Sequence, residues 1–390
     1  MFTFYFDLPL VPLVLFGAAA LLVVPLVFLC FRPLWRVTAA VRRGSDPDVQ
    51  APHTVPVSVV VYTSDDAEGL RRCLPAILGQ HYEAPFEVIV VNEGQTDTVV
   101  PVVERLKAIH DNLYLTFTPN GSRRLSCKKL ALMIGIKAAR YPVVVQTTSS
   151  ARIESDEWLA ALVAPFANQA IRVVLGFSFL SADNDRAFGR RTRAFNSVAD
   201  DVAWLEAALA GHPYRGTELN IAYTRQAFFD NRGFSRSLNL KNGDDDIFIS
   251  EIARADNTAV VVSPDTIVRR VAHNVPRAYR ELRTRYRFTG QNLPHGSRMR
   301  QALGPWLIYA ITALSVVAAA FMWPNLLGVA IAALLVGGTL TAASIMWRRA
   351  LMALTGRSLR LCLPWLVLTR PFANMSANVR MSRRRKYFFT

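Results

Sequence analysis

Asn242-Gly243-Asp244-Asp245-Asp246 sets three carboxylates in succession after a turn dipeptide. A carboxylate held in a cleft, within hydrogen-bond reach of a hydroxyl, can take its proton as a general base. Three adjacent acids also repel one another, so at least one is expected to have a raised pKa unless cations stand near. A solvated acidic turn is the competing reading. A second polar group, Asn92-Glu93, closes a β-branched run and sets an amide that both donates and accepts beside an acid. The plainer reading there is a capping turn, because Asp97 after Gly94-Gln95-Thr96 makes a good helix start.

These residues need elements to position them. From Val55 onward, short β-branched runs alternate with helix-like stretches, the pattern of an α/β sheet with helices on both faces. Strands are expected at Val57–Tyr62, Phe86–Val91, Leu113–Phe117 and Val143–Val145. Helices are expected over Asp66–Gln80, Asp97–His110 and Lys128–Arg140. In a doubly wound sheet ligands bind beyond the carboxyl ends of the strands. Tyr62-Thr63-Ser64, Asn92-Glu93 and Thr147 to Arg152 should therefore meet at one crevice. The sequence holds no GxGxxG or Walker motif, which argues against a dinucleotide or P-loop site.

The 390 residues exceed one average domain, and the stretch between Arg32 and Gly304 can bury a core of its own. Leu8 to Phe31 is uncharged, apolar and long enough to cross a bilayer. No Lys or Arg precedes it and no small-residue cleavage site closes it, against a cleaved signal peptide. Gln301 to Trp347 is also uncharged, with the length of two spans and a turn at Trp323-Pro324-Asn325. The expected organisation is a membrane helix over 8–31, a soluble domain over 50–300, two membrane helices over 304–347 and a basic tail over 348–390. Arg32, Arg36, Arg42 and Arg43 follow the first span, whereas Asp7 is the only charge before it, so the N-terminus is expected outside and the domain in the cytoplasm. The tail holds ten Lys/Arg and no acid. Within it, Leu361 to Leu368 is too short to span and is expected at the membrane interface or in a packed loop.

The net charge of +16 gathers beside the apolar runs, where it would meet anionic lipid headgroups, and nucleic acid is not expected as a partner. Cys30, Cys73, Cys127 and Cys362 are scattered, offering neither a zinc site nor a disulfide framework.

The runs Val57-Ser58-Val59-Val60-Val61-Tyr62, Val90-Val91-Asn92-Glu93-Gly94-Gln95-Thr96-Asp97 and Lys128 to Ala139 resemble the nucleotide-binding half of family 2 glycosyltransferases. Glu157-Trp158-Leu159, Gly216 to Tyr223, Gly243 to Phe248 and Arg283-Thr284-Arg285-Tyr286 extend the resemblance, in family order, from Val55 to Gly290. It implies a GT-A fold, a nucleoside-diphosphate sugar donor, inversion at the anomeric carbon and an acceptor that is lipid-linked, glycan or glycolipid, at an inner membrane. It also implies that Asp244 or Asp245, within the run through Asp246, is the base. Tyr62, Thr63, Asn92, Glu93, Lys129, Thr148, Ser150 and Arg152 are the implied nucleotide-sugar contacts. Arg283, Arg285 and Tyr286 resemble a motif that shields the diphosphate and acceptor, although the Gln often found there is Leu282 here, and an interfacial helix would carry the same residues.

The pattern breaks at one place. Two aspartates one residue apart normally end the family's fourth strand and hold Mg²⁺ or Mn²⁺, but this chain has Thr148-Ser149-Ser150. Hydroxyls hold a hard divalent cation poorly. Three readings follow: Arg152 as a fixed cation in the metal's place, a metal held by Asp244 to Asp246 and the substrate phosphates, or a non-catalytic nucleotide-binding or scaffold protein. A transporter is disfavoured because the spans carry no internal charge.

Overall fold

The computed structural model describes residues 9–44, 55–94, 97–118, 125–183, 185–293, 296–357, 359 and 362–384. Asp7, residues 50–54, Gln95-Thr96, Leu361 and the end of the tail lie outside them. In chain order the helices are α1 (Leu10–Leu26), continued by a π-turn at Val27–Phe31, α2 (Arg32–Gly44), α3 (Ala67–Leu78), α4 (Val100–Lys107), α5 (Cys127–Ala138), α6 (Trp158–Val163) and α7 (Arg190–Leu209). There follow α8 (Arg225–Asp230), α9 (Ile247–Ile252), α10 (Val275–Thr289), α11 (Gly296–Phe321), α12 (Leu326–Thr355) and α13 (Leu363–Arg384). The strands are β1 (Val57–Thr63), β2 (Phe86–Asn92), β3 (Leu113–Phe117), β4 (Val143–Thr148), β5 (Ala151–Arg152), β6 (Val173–Gly176), β7 (Ser178–Leu180), β8 (Ile221–Thr224), β9 (Thr258–Val261) and β10 (Val268–Arg270). The chain divides into two compact units, one of Met1–Ala39 with His295–Ser376 and one of Ala40–Pro294 with Ala377–Thr390.

The second unit is an α/β domain on a seven-stranded sheet of order β3-β2-β1-β4-β8-β6-β9. The first four strands are parallel, β8 runs antiparallel to both β4 and β6, and β9 is parallel to β6. Their sequences are near-continuous Val/Ile runs because both faces are covered by helices. Val59, Val61, Val88, Val90 and Val145 pack with Leu70, Leu74, Ile77, Trp158 and Leu162 in one core cluster. β8, between β4 and β6, contributes Tyr223 to a ring cluster in which Tyr223, Phe228, Phe234 and Phe248 lie edge-on or stacked at centroid distances of 5.1–6.2 Å.

Register brings the site together. Thr63 pairs with Asn92, and Tyr62 with Thr148, so the polar residues of three strands end at one edge. β4 runs to Thr148 rather than stopping at Val145, because Gln146 still pairs with Ile221 of β8. The helix expected from Asp97 begins at Val100, where Pro101 occupies the first turn. Asp66 caps α3 by accepting from Gly69 N at 2.9 Å, and Ser126 caps α5. A separate three-stranded sheet of order β5-β10-β7 carries Arg269 and Arg270 of β10 opposite Arg152 and Ala151 of β5.

In the other unit, Leu10–Gly44 and Leu326–Thr355 are long and apolar enough to cross a membrane. α11, of 26 residues, breaks from α12 around Trp323-Pro324-Asn325, as expected. Phe16, Ala318, Met322 and Ala332 form that unit's apolar cluster. Residues 348–355 continue α12, and Leu363 to Leu368 opens the 22-residue helix α13 instead of standing as a short segment. Leu363 and Leu366 are buried, and Tyr309 donates to the Leu368 carbonyl at 2.6 Å, which anchors the start of α13.

Candidate active site

A cleft of about 680 Å³ opens beyond the carboxyl ends of β1, β2 and β4. Tyr62, Glu93, Thr148 and Ser150 line it as expected of the crevice, together with Lys128, Glu218, Arg270 and Arg285. The Tyr62 hydroxyl bonds the Glu93 carboxylate, and burial, then that carboxylate, raises the phenol's pKa.

The floor is a buried ionic cluster. Glu218 accepts from Arg270 at 2.6 Å, from Arg285 at 2.8 Å and from Lys128. Asp244 pairs with Lys128 at 2.6 Å and with Arg285 at 3.5 Å. Asp245 pairs with Arg285 at 2.6 Å and accepts from the Tyr286 hydroxyl at 2.8 Å. Burial opposes charge on Glu218, but Arg285, Lys128 and Arg270 outweigh it and hold the carboxyl well below the usual range. The same balance, burial overcome by Asp244 and Glu218, raises the Lys128 ammonium. Ion pairs this deep persist only when each charge is matched, because an isolated buried ion costs several kcal/mol.

Local structure fixes each partner. Gly216 N donates to the Asp245 carbonyl at 2.8 Å and Glu218 N to Asp245 Oδ2 at 3.3 Å, locking the 216–220 turn against the acidic run. Asn220 ties that turn to the Phe177 and Thr266 carbonyls and accepts from Trp158 Nε1 at 3.0 Å. Arg285 and Tyr286 come from α10, and Arg215 stacks over the Tyr286 ring with 3.2 Å to its centroid.

Not every sequence-derived candidate reaches the cleft: Asp244 and Asp245 are fully buried behind its lining, and Tyr286 lies outside the lining too. Asp246 caps α9 through Ile247 N at 2.7 Å and accepts from Thr289. Burial, then Asp245, pushes its carboxyl up to about 6. Lys129 turns inward instead of facing the cleft, donating to the Ser237 carbonyl at 2.5 Å, Ser237 Oγ at 2.9 Å and the Asn242 carbonyl at 2.8 Å. Burial pulls its pKa down to about 8. Its neighbour Lys128, about 100° away around the helix, points into the cleft. Asn92 is fully buried and braces the loop after β1, donating to Asp65 Oδ1 at 3.0 Å and accepting from Asp65 N at 3.1 Å. Thr63 is buried too and accepts from Asp66 N at 3.3 Å. Arg283 faces α7, where it pairs with Asp200 at 2.6 Å, and Leu282 packs with Leu180, Val275 and Tyr279.

Arg152 is the clearest departure. Its side chain is 59% exposed and pairs with Glu154 at 3.2 Å, outside the cleft lining. Arg270, paired with Glu218, is the guanidinium that stands beside the strand end, 3.5 Å from Ser150 Oγ. Lys128, Glu218 and Arg270 are thus among the cleft residues that sequence reasoning missed.

The end of β4 does not suit a divalent cation. Thr148 Oγ1 and Ser150 Oγ bond each other at 2.7 Å, and Ser149 donates to Asp66 at 2.9 Å. The nearby carboxylate of Glu218 is already shared among three cations. An ion at these hydroxyls would stand against Arg270, and at roughly 4 Å a divalent charge and a guanidinium repel by about 8 kcal/mol at an effective dielectric near 20. Among the described residues, the His/acid group close enough to share an ion is His81, Asp156 and Glu157, at the surface and outside the cleft.

Comparison with known proteins fits this geometry. No curated protein matches the sequence. Among solved structures, the chain is similar to the mannosyltransferase PcManGT from Pyrobaculum calidifontis in complex with GDP-Man and Mn²⁺, at 22% identity over 94% of this chain and 99% of that one, with a TM-score of 0.56. S. aureus TarS 1-349 in complex with UDP-GlcNAc aligns at 16% identity over 85% of this chain and 92% of that one, with a TM-score of 0.41. The first likeness shows the GT-A fold. The sequence model "Glycosyltransferase like family 2" matches residues 52–289, well over half of the chain, and the protein therefore belongs to that glycosyltransferase family.

Proposed function

We propose that the protein transfers a sugar, with inversion, from a nucleoside-diphosphate sugar to a hydroxyl of a membrane-associated glycan or lipid-linked acceptor. The observation that carries this reading is a cleft beyond the strand ends lined by Lys128, Glu218, Arg270 and Arg285, with Asp244 and Asp245 buried behind it and paired to Lys128 and Arg285. In the reaction the acceptor oxygen bonds to the anomeric carbon while the carbon–oxygen bond to the diphosphate breaks. The acceptor proton passes to a carboxylate and the electron pair leaves with the phosphate oxygen. Asp244 is better suited to be that base than Asp245. Both oxygens of Asp245 are bound closely, by Arg285 and Tyr286, whereas Asp244 is held closely at Oδ2, by Lys128 at 2.6 Å, and its Oδ1 has a 3.5 Å contact with Arg285.

Incubation of the full chain with a panel of UDP- and GDP-sugars and membrane lipid acceptors tests the proposal. Asp244→Asn should lower turnover by roughly 10²-fold with donor affinity retained. Normal turnover in that variant would sink the assignment of the base.

A second reading, a non-catalytic nucleotide-binding scaffold, draws on the closure of Asp244 and Asp245 to solvent and on the close ion pair each makes, with Lys128 and Arg285 respectively. Donor binding with no turnover of any donor would favour it.

For location, we propose three spans with the N-terminus outside and the catalytic domain in the cytoplasm at an inner membrane. The arginines of α2 and the acid-free tail support this orientation. Reporter fusions at residues 1 and 390 should fall on opposite faces, and a cytoplasmic N-terminus would overturn the topology.

A further inference from the structure

We infer that the donor diphosphate is held by fixed side-chain cations, Arg270 and Lys128 with Arg285 behind them, and that binding needs no divalent metal. This rests on the transferase reading and specifies how the same cleft takes its ligand. The three cations line the cleft at the end of β4, and each is anchored through Glu218.

A cation can stay at such a place only when something holds it there before the ligand comes. Glu218 does so for all three. Arg270 places Nη2 2.6 Å from Glu218 and Nη1 3.5 Å from Ser150 Oγ. Its planar fork thus reaches from the anchoring carboxylate to the strand end and suits two phosphate oxygens. Lys128 bridges Glu218 and Asp244 and stands 5.4 Å from the Tyr62 ring centroid. An arriving diphosphate competes with these carboxylates for Lys128, and its movement toward the phosphates uncovers Asp244. The leaving group's growing charge is then met by groups already oriented for it. A carboxylate pair in place of Thr148 and Ser150 would be needed to bring a metal to the same spot, and Arg270 already supplies positive charge there.

The test is calorimetric binding of UDP, GDP, CDP, ADP and dTDP to the purified full chain, in EDTA and in Mn²⁺. The expected result is at least one nucleoside diphosphate bound equally, within about 2-fold, in both buffers. Arg270→Gln should weaken that binding at least about 10-fold, and Arg270→Lys, which keeps the charge on Glu218 and so protects the fold, should weaken it less while leaving it insensitive to EDTA. Binding that is lost in EDTA and restored by Mn²⁺ overturns the inference and leaves the transferase reading standing. Undiminished binding in Arg270→Gln overturns it too. If no nucleoside diphosphate binds in either buffer, both readings fail.

Discussion

The floor of the cleft and the end of β4 lie side by side and are built on opposite electrostatic terms. At the floor, Glu218, Asp244 and Asp245 are fully or nearly fully buried, and each is matched by cations from other elements. At the end of β4, Thr148, Ser149 and Ser150 offer only hydroxyls, and these satisfy one another and Asp66. Charge in this cleft is therefore carried by side chains that the fold has paired in advance. A removed partner at the floor leaves an uncompensated buried ion, whereas a changed hydroxyl at the strand end leaves a hydrogen bond to be replaced by water.

The largest expected effect follows directly. Glu218→Gln removes the anchor of three cations and should destabilise the domain by about 3–5 kcal/mol. In a unit of this size that lowers Tm by roughly 10 °C. Thermal unfolding of the purified full chain reads it, and an unchanged Tm would show that the cluster does not carry the floor. The sign with pH is set by the depressed Glu218 carboxyl. Its contribution is complete above the unfolded value of 4.5 and is lost as pH falls toward the lower folded value.

Asp246 sharpens the comparison from the other side, being an acid of the same run whose carboxyl is pushed up by burial and Asp245 to about 6. Between its ordinary 3.8 and about 6 the folded state holds a proton that the unfolded chain has released. Stability therefore falls as pH rises through that window, by up to about 1.4 kcal/mol per pH unit. Asp246→Asn keeps the acceptor for Ile247 N, turns the oxygen that accepts from Thr289 into an amide N–H that can donate to the Thr289 hydroxyl oxygen, and does not titrate. Its Tm relative to the native protein should climb from pH 4 to pH 6.5, and a flat difference would count against a raised carboxyl.

These pairings explain what the sequence could and could not disclose. β1 to β4 were legible because each is a local run of β-branched residues, and strand register alone then aligned Tyr62, Asn92 and Thr148. The acidic run was legible as a run, but its members part company in three dimensions: Asp244 and Asp245 face cations while Asp246 caps α9. Lys128 and Lys129 could not be told apart because residues flanking them on α5 are apolar on several sides, so no polar stripe marks the face that meets the cleft. Arg270 left no local signal at all. It sits on a three-residue strand and meets Ser150 across 120 positions of sequence. Glu218 was visible only as one acid within the matched stretch from Gly216 to Tyr223, and its weight comes from three partners on three other elements.

The smallest expected effect concerns Arg152, which by sequence alone stood as near the strand end as any cation. It lies two residues past the hydroxyl pair, but β5 pairs antiparallel with β10, which sets Arg152 opposite Arg269 in the small sheet. Its side chain emerges into solvent and meets Glu154, and Arg269 pairs with the same carboxylate at 3.0 Å. An exposed pair of this kind is screened by water and salt and contributes little. Losing Arg152 still leaves Glu154 with Arg269, so no unpaired ion remains. Arg152→Ala should change stability by less than about 0.5 kcal/mol and nucleoside-diphosphate affinity by less than about 2-fold, while Arg270→Gln in the same assay loses at least about 10-fold. Isothermal titration of the two variants beside the native chain decides between these arginines. A larger loss in Arg152→Ala than in Arg270→Gln would move the diphosphate to the outer edge of the strand end and remove the floor cluster from its binding.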